Sequence, residues 1–229
     1  MAAEYSSFLK NKIWVPRHGR SIPNAKGIII SSLENGILEE YRLCPDGIQQ
    51  ARLAGESFLK EIKKRNIGLE HIRICYSPFS RTSHTAKVVA SVLNVPFDGP
   101  QCEAMEDLRE RFFGCSFELM SHDKYPEIWA MDEEDPFTRP EGGESVADVV
   151  TRLTRALIKM ESAFEDCMVL VVSHGDPLQI LQTIINAAVP TRRTDANDLT
   201  SRIQAISVPS ILSQHRKFAL NTGELRELV

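Results

Sequence analysis

Two histidines and two arginines of this chain stand where a strand-like run gives way to a loop or helix, and their types suit phosphoryl transfer. Arg17, His18 and Gly19 follow Val15 and Pro16; Arg81 and Thr82 follow Ser77 and Pro78; Ser173, His174 and Gly175 follow a third apolar run. A neutral imidazole nitrogen can attack phosphorus, and planar guanidinium forks bind the equatorial phosphoryl oxygens bidentately as charge shifts in the transition state. A second imidazole adds a hydrogen bond. The reaction also needs a carboxyl to protonate the departing oxygen. Glu110, within residues 108–114, is a candidate, with Glu103, Glu106 and Asp107 close by in sequence. Composition alone does not choose among them.

For groups so far apart in sequence to meet, the chain must bring three strand ends to one crevice, as open α/β sheets do at helix N-termini. The hydrophobic pattern predicts this. Residues 12–16 read as a strand, and residues 46–65 as a helix with Ile48, Ala51, Phe58, Leu59 and Ile62 on one face. A second strand is expected at 72–76 and a helix over 81–93, stopped by Asn94 and Pro96. Residues 102–144 lose their period and are punctuated by Pro126, Pro136, Pro140, Gly142 and Gly143, which predicts a long insert. Ser145 and Asp148 form a capping box ahead of the next amphipathic helix. Residues 168–172 read as a strand buried on both faces, followed by a helix with Asp176 as N-cap and Pro177 at its first position. The expected fold is α/β, a mostly parallel sheet with helices on both faces, in one domain over 1–229 with an insert or lid at about 112–144.

The bulk properties narrow the partners. Lys and Arg number 27 against 31 Asp and Glu, a formal charge of -4, which gives no general attraction to nucleic acid or an anionic membrane. No run approaches the roughly 18 apolar residues that span a bilayer. Cys44, Cys75, Cys102, Cys115 and Cys167 are odd in number and widely spaced, which fits a reducing compartment and neither a disulfide framework nor a zinc site. A cytoplasmic location is expected; the first residues carry no apolar leader, and one removed ahead of this numbering is left open. His71, His84, His122 and His215 lack the spacing of a helical metal site and are expected to be surface or structural residues, and Arg192 with Arg193 a solvated turn.

The motifs together resemble the histidine phosphatase superfamily, the phosphoglycerate mutase-like fold. VPRHGRSIPN looks like its arginine-histidine-glycine signature, with Asn24 matching a downstream asparagine; SPFSRTSHTA, LRERFFG, PEGGES and VVSHG follow in family order, and PDGIQQA resembles the start of its first helix. The resemblance covers roughly residues 12 to 188, with a weaker echo in 201–225. It implies a three-layer sandwich, His18 as the phosphorylated nucleophile, and Arg17, Arg81 and His174 around the phosphoryl group with Asn24 and Gly175. It makes Glu110 the general acid and then base, and Arg111 a substrate contact. No metal or organic cofactor is implied. Arg20 departs from the pattern, and the insert lacks the adjacent arginine pair with which the glycolytic mutases hold a second anionic group.

The expected activity is hydrolysis of a small phosphorylated metabolite. Mutase-type transfer and a catalytically silent phospho-ligand reader are the alternatives, and a homo-oligomer is left open. Residues 115–145 hold nine acids and two bases, leaving that segment at -7 and the rest at +3. A lid so charged would disfavour a second anionic group, with Phe112, Phe113, Tyr125, Trp129 and Phe137 offering apolar or stacking contacts. The other reading has the run Asp132 to Asp135 simply facing solvent.

Overall fold

Apolar runs too short for helices become strands here, and the more completely a run is covered the more continuous its hydrophobicity. The computed structural model describes residues 9–188 and 199–229. Strands β1 (Lys12–Pro16), β2 (Ile72–Tyr76), β3 (Cys102–Ala104), β4 (Met168–Val172) and β5 (Leu225–Glu227) form one sheet in the order β3-β2-β4-β1-β5. All pairings are parallel except β5 on β1, which is antiparallel. In register, Ile72 lies opposite Met168 and Tyr76 opposite Val172, while Lys12 lies opposite Met168 on the other side of β4.

The helices in chain order are α1 (Ile22–Lys26), α2 (Leu33–Gly36), α3 (Pro45–Lys64), α4 (Ser80–Leu93), α5 (Tyr125–Glu134), α6 (Val146–Ala163), α7 (Gly175–Ala188), α8 (Leu199–Ile206) and α9 (Pro209–Leu212). Alternate residues of the strands feed two cores. Val15, Val169 and Val171 pack with Val149, Leu153 and Leu157 of α6 and Leu178 and Leu181 of α7. Trp14, Ile74, Leu170 and Val172 pack with Phe58 and Ile62 of α3 and Val89 and Ala90 of α4. This is the three-layer α/β arrangement with helices on both faces. Every residue of β4 is buried, as its unbroken apolar run requires.

Ser145 accepts from the Asp148 backbone while the Asp148 carboxylate accepts from Ser145 N, so the capping box at α6 is made in both directions. Three expectations need correction. The insert is not without period, since α5 lies inside it with Pro126 in its first turn, where proline has no helical hydrogen bond to break. Helix α7 begins at Gly175, so Asp176 lies within the first turn and is not the cap. Asp132 does not face solvent but is buried, and only its neighbours Glu133 and Glu134 are exposed. Arg192 and Arg193 lie outside the described residues. Among the described residues no helix is long and apolar enough to cross a membrane.

Candidate active site

The C-terminal ends of β1, β4 and β2 stand side by side, and backbone bonds carry the pairing past them. His18 N donates to Ser173 O (3.1 Å) and Ser77 N to Val172 O (3.1 Å), so the three loops leave the sheet in fixed relation. The loop after β1 then passes against the start of α3, where only glycine fits: a Cβ on Gly19 would lie 2.2 Å from Gly47 O, and one on Gly47 would lie 1.9 Å from Arg20 O. This close approach turns His18 inward, and it is 2% exposed.

The two imidazoles are held as opposite tautomers. His18 Nδ1 lies 2.8 Å from Gly19 O, a carbonyl that can only accept, so Nδ1 carries the proton and Nε2 its lone pair. His174 has the reverse arrangement: Arg81 Nε donates to its Nδ1 (3.2 Å), leaving Nε2–H to donate to Ser77 Oγ (2.8 Å). The same Arg81 N–H also points at His18 Nε2 (3.2 Å), so one donor is shared by two lone pairs. The rings meet edge to face with centroids 5.3 Å apart. Burial, then the positive charges of Arg81 and Arg17, hold the His18 pKa well below 6.5, and burial and Arg81 do the same for His174. Both rings are therefore neutral near pH 7.

Arg81, buried at the start of α4, is fixed by Nη2 donating to Ile30 O (3.0 Å). Arg17 Nη1 donates to Leu220 O (2.8 Å). Their remaining buried donors, Arg81 Nη1 and Arg17 Nε, have no partner among the described residues. Buried guanidinium N–H groups are rarely left unpaired, and here both belong to guanidiniums whose charge acts on His18. The start of α7 adds its helix-terminal field: a Cβ on Gly175 would lie 3.7 Å from Arg17 Cζ.

Glu110 enters the site on the loop that follows Leu108. Ser173 Oγ donates to Leu108 O (2.7 Å), fastening that loop to the end of β4, and Arg111 N donates to Glu110 Oε1 (3.0 Å). Glu110 Oε2 stands 3.6 Å from Arg81 Nη2 and 3.7 Å from His174 Nδ1. Burial raises the carboxyl from 4.5 to about 7; Arg81 opposes that rise and the Asp176 charge adds to it. The group can thus donate a proton near neutrality and take one back. Glu103, Glu106 and Asp107 do not line this cleft.

The cleft, of about 370 Å³, is lined by Arg17, Arg20, Asn24, Glu110, Phe113, His122, Tyr125, Trp129, Gly175, Asp176, Gln179 and Thr222. Asn24 lines it while its Oδ1 accepts from Ser21 N (3.1 Å) in the α1 capping box. His18, Arg81 and His174 are buried and not themselves in this lining, and neither is Arg111, expected as a substrate contact. Its side chain is fully buried, with Nη1 2.6 Å from Asp132 Oδ2 and 3.3 Å from Asp176 Oδ2. His122, expected to be structural, reaches the cleft with Nε2 donating to Ile28 O (2.9 Å). Arg20, Gln179 and Thr222 were not anticipated; adjacency to the signature was the one available sign, and only for Arg20. Of the insert aromatics, Phe113, Tyr125 and Trp129 form one wall, whereas Phe112 is not in the lining and Phe137 lies on a separate apolar groove. Stacking on Trp129 is pre-empted, since Tyr125 covers one face (5.6 Å, 7° between planes) and the Arg216 guanidinium stands 3.5 Å from its ring centroid.

The expected lid field is cancelled only in part. Asp132 pairs with Arg111, Glu144 with Arg109 and Arg152, and Glu118 accepts from Ser31, Ser32 and Asn35. Asp132, Asp176 and His215 do gather within 4.8 Å of one another, a cluster that chain spacing gave no sign of, but the guanidinium of Arg111 already stands against both carboxylates.

Comparison with known proteins agrees with this geometry. The model of the histidine phosphatase superfamily (branch 1) matches residues 13–211. A fructose-2,6-bisphosphatase of Saccharomyces cerevisiae is 28% identical over 171 residues, 74% of this chain, which spans about a third (33%) of that enzyme's length. A probable phosphoglycerate mutase of Erwinia tasmaniensis is 28% identical over 180 residues, 76% of this chain and 74% of that one. The solved structure of a mycobacterial glucosyl-3-phosphoglycerate phosphatase superposes with a TM-score of 0.64 at 18% identity, covering 93% of this chain and 88% of that one, which shows a shared fold. The chain belongs to the histidine phosphatase superfamily, branch 1.

Proposed function

We propose that this chain hydrolyses a small phosphomonoester through a phosphohistidine on His18, without a metal or organic cofactor. The observation that carries the reading is the lone pair of buried, neutral His18 Nε2, met by Arg81 Nε, with unpaired buried donors left on both Arg81 and Arg17. In the first step Nε2 bonds to phosphorus, the phosphorus–oxygen ester bond breaks, and Glu110 gives its proton to the departing oxygen. The guanidinium forks take up the charge that develops on the equatorial oxygens. In the second step water bonds to phosphorus as the phosphorus–nitrogen bond breaks, and the Glu110 carboxylate accepts the proton. The enzyme returns to its starting state with inorganic phosphate released. The relatives named as a bisphosphatase and a glucosyl-phosphoglycerate phosphatase support hydrolysis of small phosphorylated metabolites.

Hydrolysis is favoured over transfer to a second hydroxyl because Arg20 is the one cationic side chain of the lining beyond Arg17, and a retained doubly anionic intermediate needs more. A silent ligand reader is disfavoured by Glu110, whose burial as an acid serves bond cleavage and not anion binding. The test is rapid acid-free quench during turnover of phosphorus-labelled substrate. The wild type should yield an alkali-stable, acid-labile phosphoenzyme, and His18→Ala should yield none and lose turnover. Substantial activity in that variant would overturn the mechanism.

A further inference from the structure

Arg111 follows the proposed acid directly, yet its guanidinium is held in a buried clamp. Nη1 and Nη2 grip Asp132 of α5 as a fork (2.6 and 2.8 Å), Nη1 also meets Asp176 in the first turn of α7 (3.3 Å), and Nε donates to Glu144 O (2.8 Å). Its Cζ lies 5.6 Å from the centroid of Phe113, a residue of the cleft wall. Three separate elements therefore fix the backbone of residue 111, whose N–H donates to Glu110 Oε1 (3.0 Å). We infer that Arg111 is a positioning residue for Glu110, acting with Asp132 and Asp176 through this clamp, and that it does not touch substrate. The inference rests on the reading of Glu110 as general acid.

The physical argument is one of reach and rigidity. A planar guanidinium bound bidentately has little freedom, so the peptide that bears it is held in place, as a proton donor demands. Asp132 is not part of the cleft lining, and its direct link toward the acid is the fork it makes with Arg111, beside Asp176. His215 Nε2 at 3.7 Å from Asp132 Oδ2 closes the far side of the cluster.

The experiment compares kcat and KM on a series of aryl phosphates running from 4-nitrophenyl, whose leaving group departs without a proton, to phenyl, whose leaving group needs one. The variants are Asp132→Asn, which keeps the shape and one acceptor, Arg111→Met, Arg111→Lys and, as reference, Glu110→Gln. For Asp132→Asn and Arg111→Met the expected result is a loss of kcat of roughly tenfold or more on phenyl phosphate and less than about threefold on 4-nitrophenyl phosphate, with KM unchanged. Retained 4-nitrophenyl phosphate turnover shows that the variant is folded, and Asp132→Asn serves if Arg111→Met does not fold. Arg111→Lys, which keeps the charge without the fork, should recover part of the loss. A rise in KM on both substrates, equal losses of kcat on both, or no effect of either variant would overturn the inference. If Glu110→Gln shows the leaving-group dependence and Asp132→Asn does not, this inference alone falls; if Glu110→Gln lacks it, the general-acid reading falls and takes the inference with it.

Discussion

Glu110 Oε2 stands 3.6 Å from Arg81 Nη2, and the carboxyl is nonetheless raised to about 7, because taking the charge out of water outweighs the attraction of the neighbouring guanidinium. The sign of that shift is opposite to the usual salt-bridged carboxylate. The folded state holds its proton more tightly than the unfolded chain, so Glu110 favours folding below about pH 4.5, and its contribution is lost as pH rises through about 7. Glu110→Gln, which cannot ionise, should therefore gain stability relative to wild type as pH rises from 5 to 8, by up to about 3 kcal/mol. Denaturant unfolding of both proteins across that range measures it. A constant difference between them would contradict the raised pKa.

The same shift shapes the rate profile. Attack needs His18 neutral, and its pKa lies well below 6.5; protonation of the leaving group needs Glu110 protonated, and its pKa lies near 7. kcat/KM should rise on an acidic limb well below 6.5 and fall on a basic limb near 7. In Glu110→Gln the basic limb should vanish while the acidic one stays. Persistence of a basic limb in that variant would assign it to another group.

Much of this arrangement is legible in the sequence, and for a specific reason. β1, β2 and β4 have their expected bounds because strands covered on both faces are nearly pure apolar runs, and α6 because its capping box is a purely local signal. His18, Arg81, Glu110 and His174 come together as their motifs imply. What the sequence hid depends on partners distant in the chain. Asp132 looked like part of a solvated acidic run, and only Arg111, 21 residues away, makes it a buried ligand. Arg111 shares the cause: a charged residue beside a proposed acid reads as a substrate contact until the carboxylates that bury it are seen. Pro126 reads as a breaker when it is in fact a helix opener, and α5 is too short and too weakly amphipathic to announce itself.

Arg81 offers a third test. Its single Nε–H serves both imidazoles while Nη2 holds Ile30 O, so the group fixes two rings and leaves Nη1 unpaired among the described residues. Lysine keeps the charge but not the planar fork, and cannot satisfy those directions together. Arg81→Lys should lower kcat by roughly 100-fold or more, the order found on removing a preorganised donor to a developing oxyanion. Steady-state kinetics with a phosphoenzyme burst would locate the loss in phosphoryl transfer. A decrease below about fivefold would mean that charge alone suffices.

Metal dependence is a fourth. Charge neutralisation that divalent ions supply elsewhere is assigned here to Arg17 and Arg81, and the one acid–histidine cluster among the described residues encloses the Arg111 guanidinium. Prolonged treatment with EDTA should leave kcat within about twofold. A large loss restored by a divalent ion would show that the arginines do not act alone.

The last prediction concerns substrate charge, where the structure changes the expectation. An insert at -7 suggests a lid hostile to a second anion, but Asp132 and Glu144 are paired with arginines and none of the insert's acids lines the cleft, whose acidic lining is Glu110 and Asp176. Asp176 shares the one guanidinium of Arg111 with Asp132 (3.3 and 2.6 Å). What remains at the mouth is Arg20, whose side chain is 46% exposed and whose nearest acid is Asp46, 73% exposed, at 3.4 Å. An exposed pair at that distance is weak and readily exchanged for a ligand anion. A substrate with a second phosphate or carboxylate should therefore bind through Arg20, and Arg20→Gln should raise its KM about three- to tenfold while leaving kcat/KM for a substrate with an uncharged remainder within about twofold. Salt should weaken the first effect and not the second. The measurement is a matched pair, glycerol 2-phosphate against 2-phosphoglycerate, at low and high ionic strength. Equal changes for both would place Arg20 outside recognition, and a stronger preference of wild type for the uncharged remainder would restore the lid as the source of charge selection.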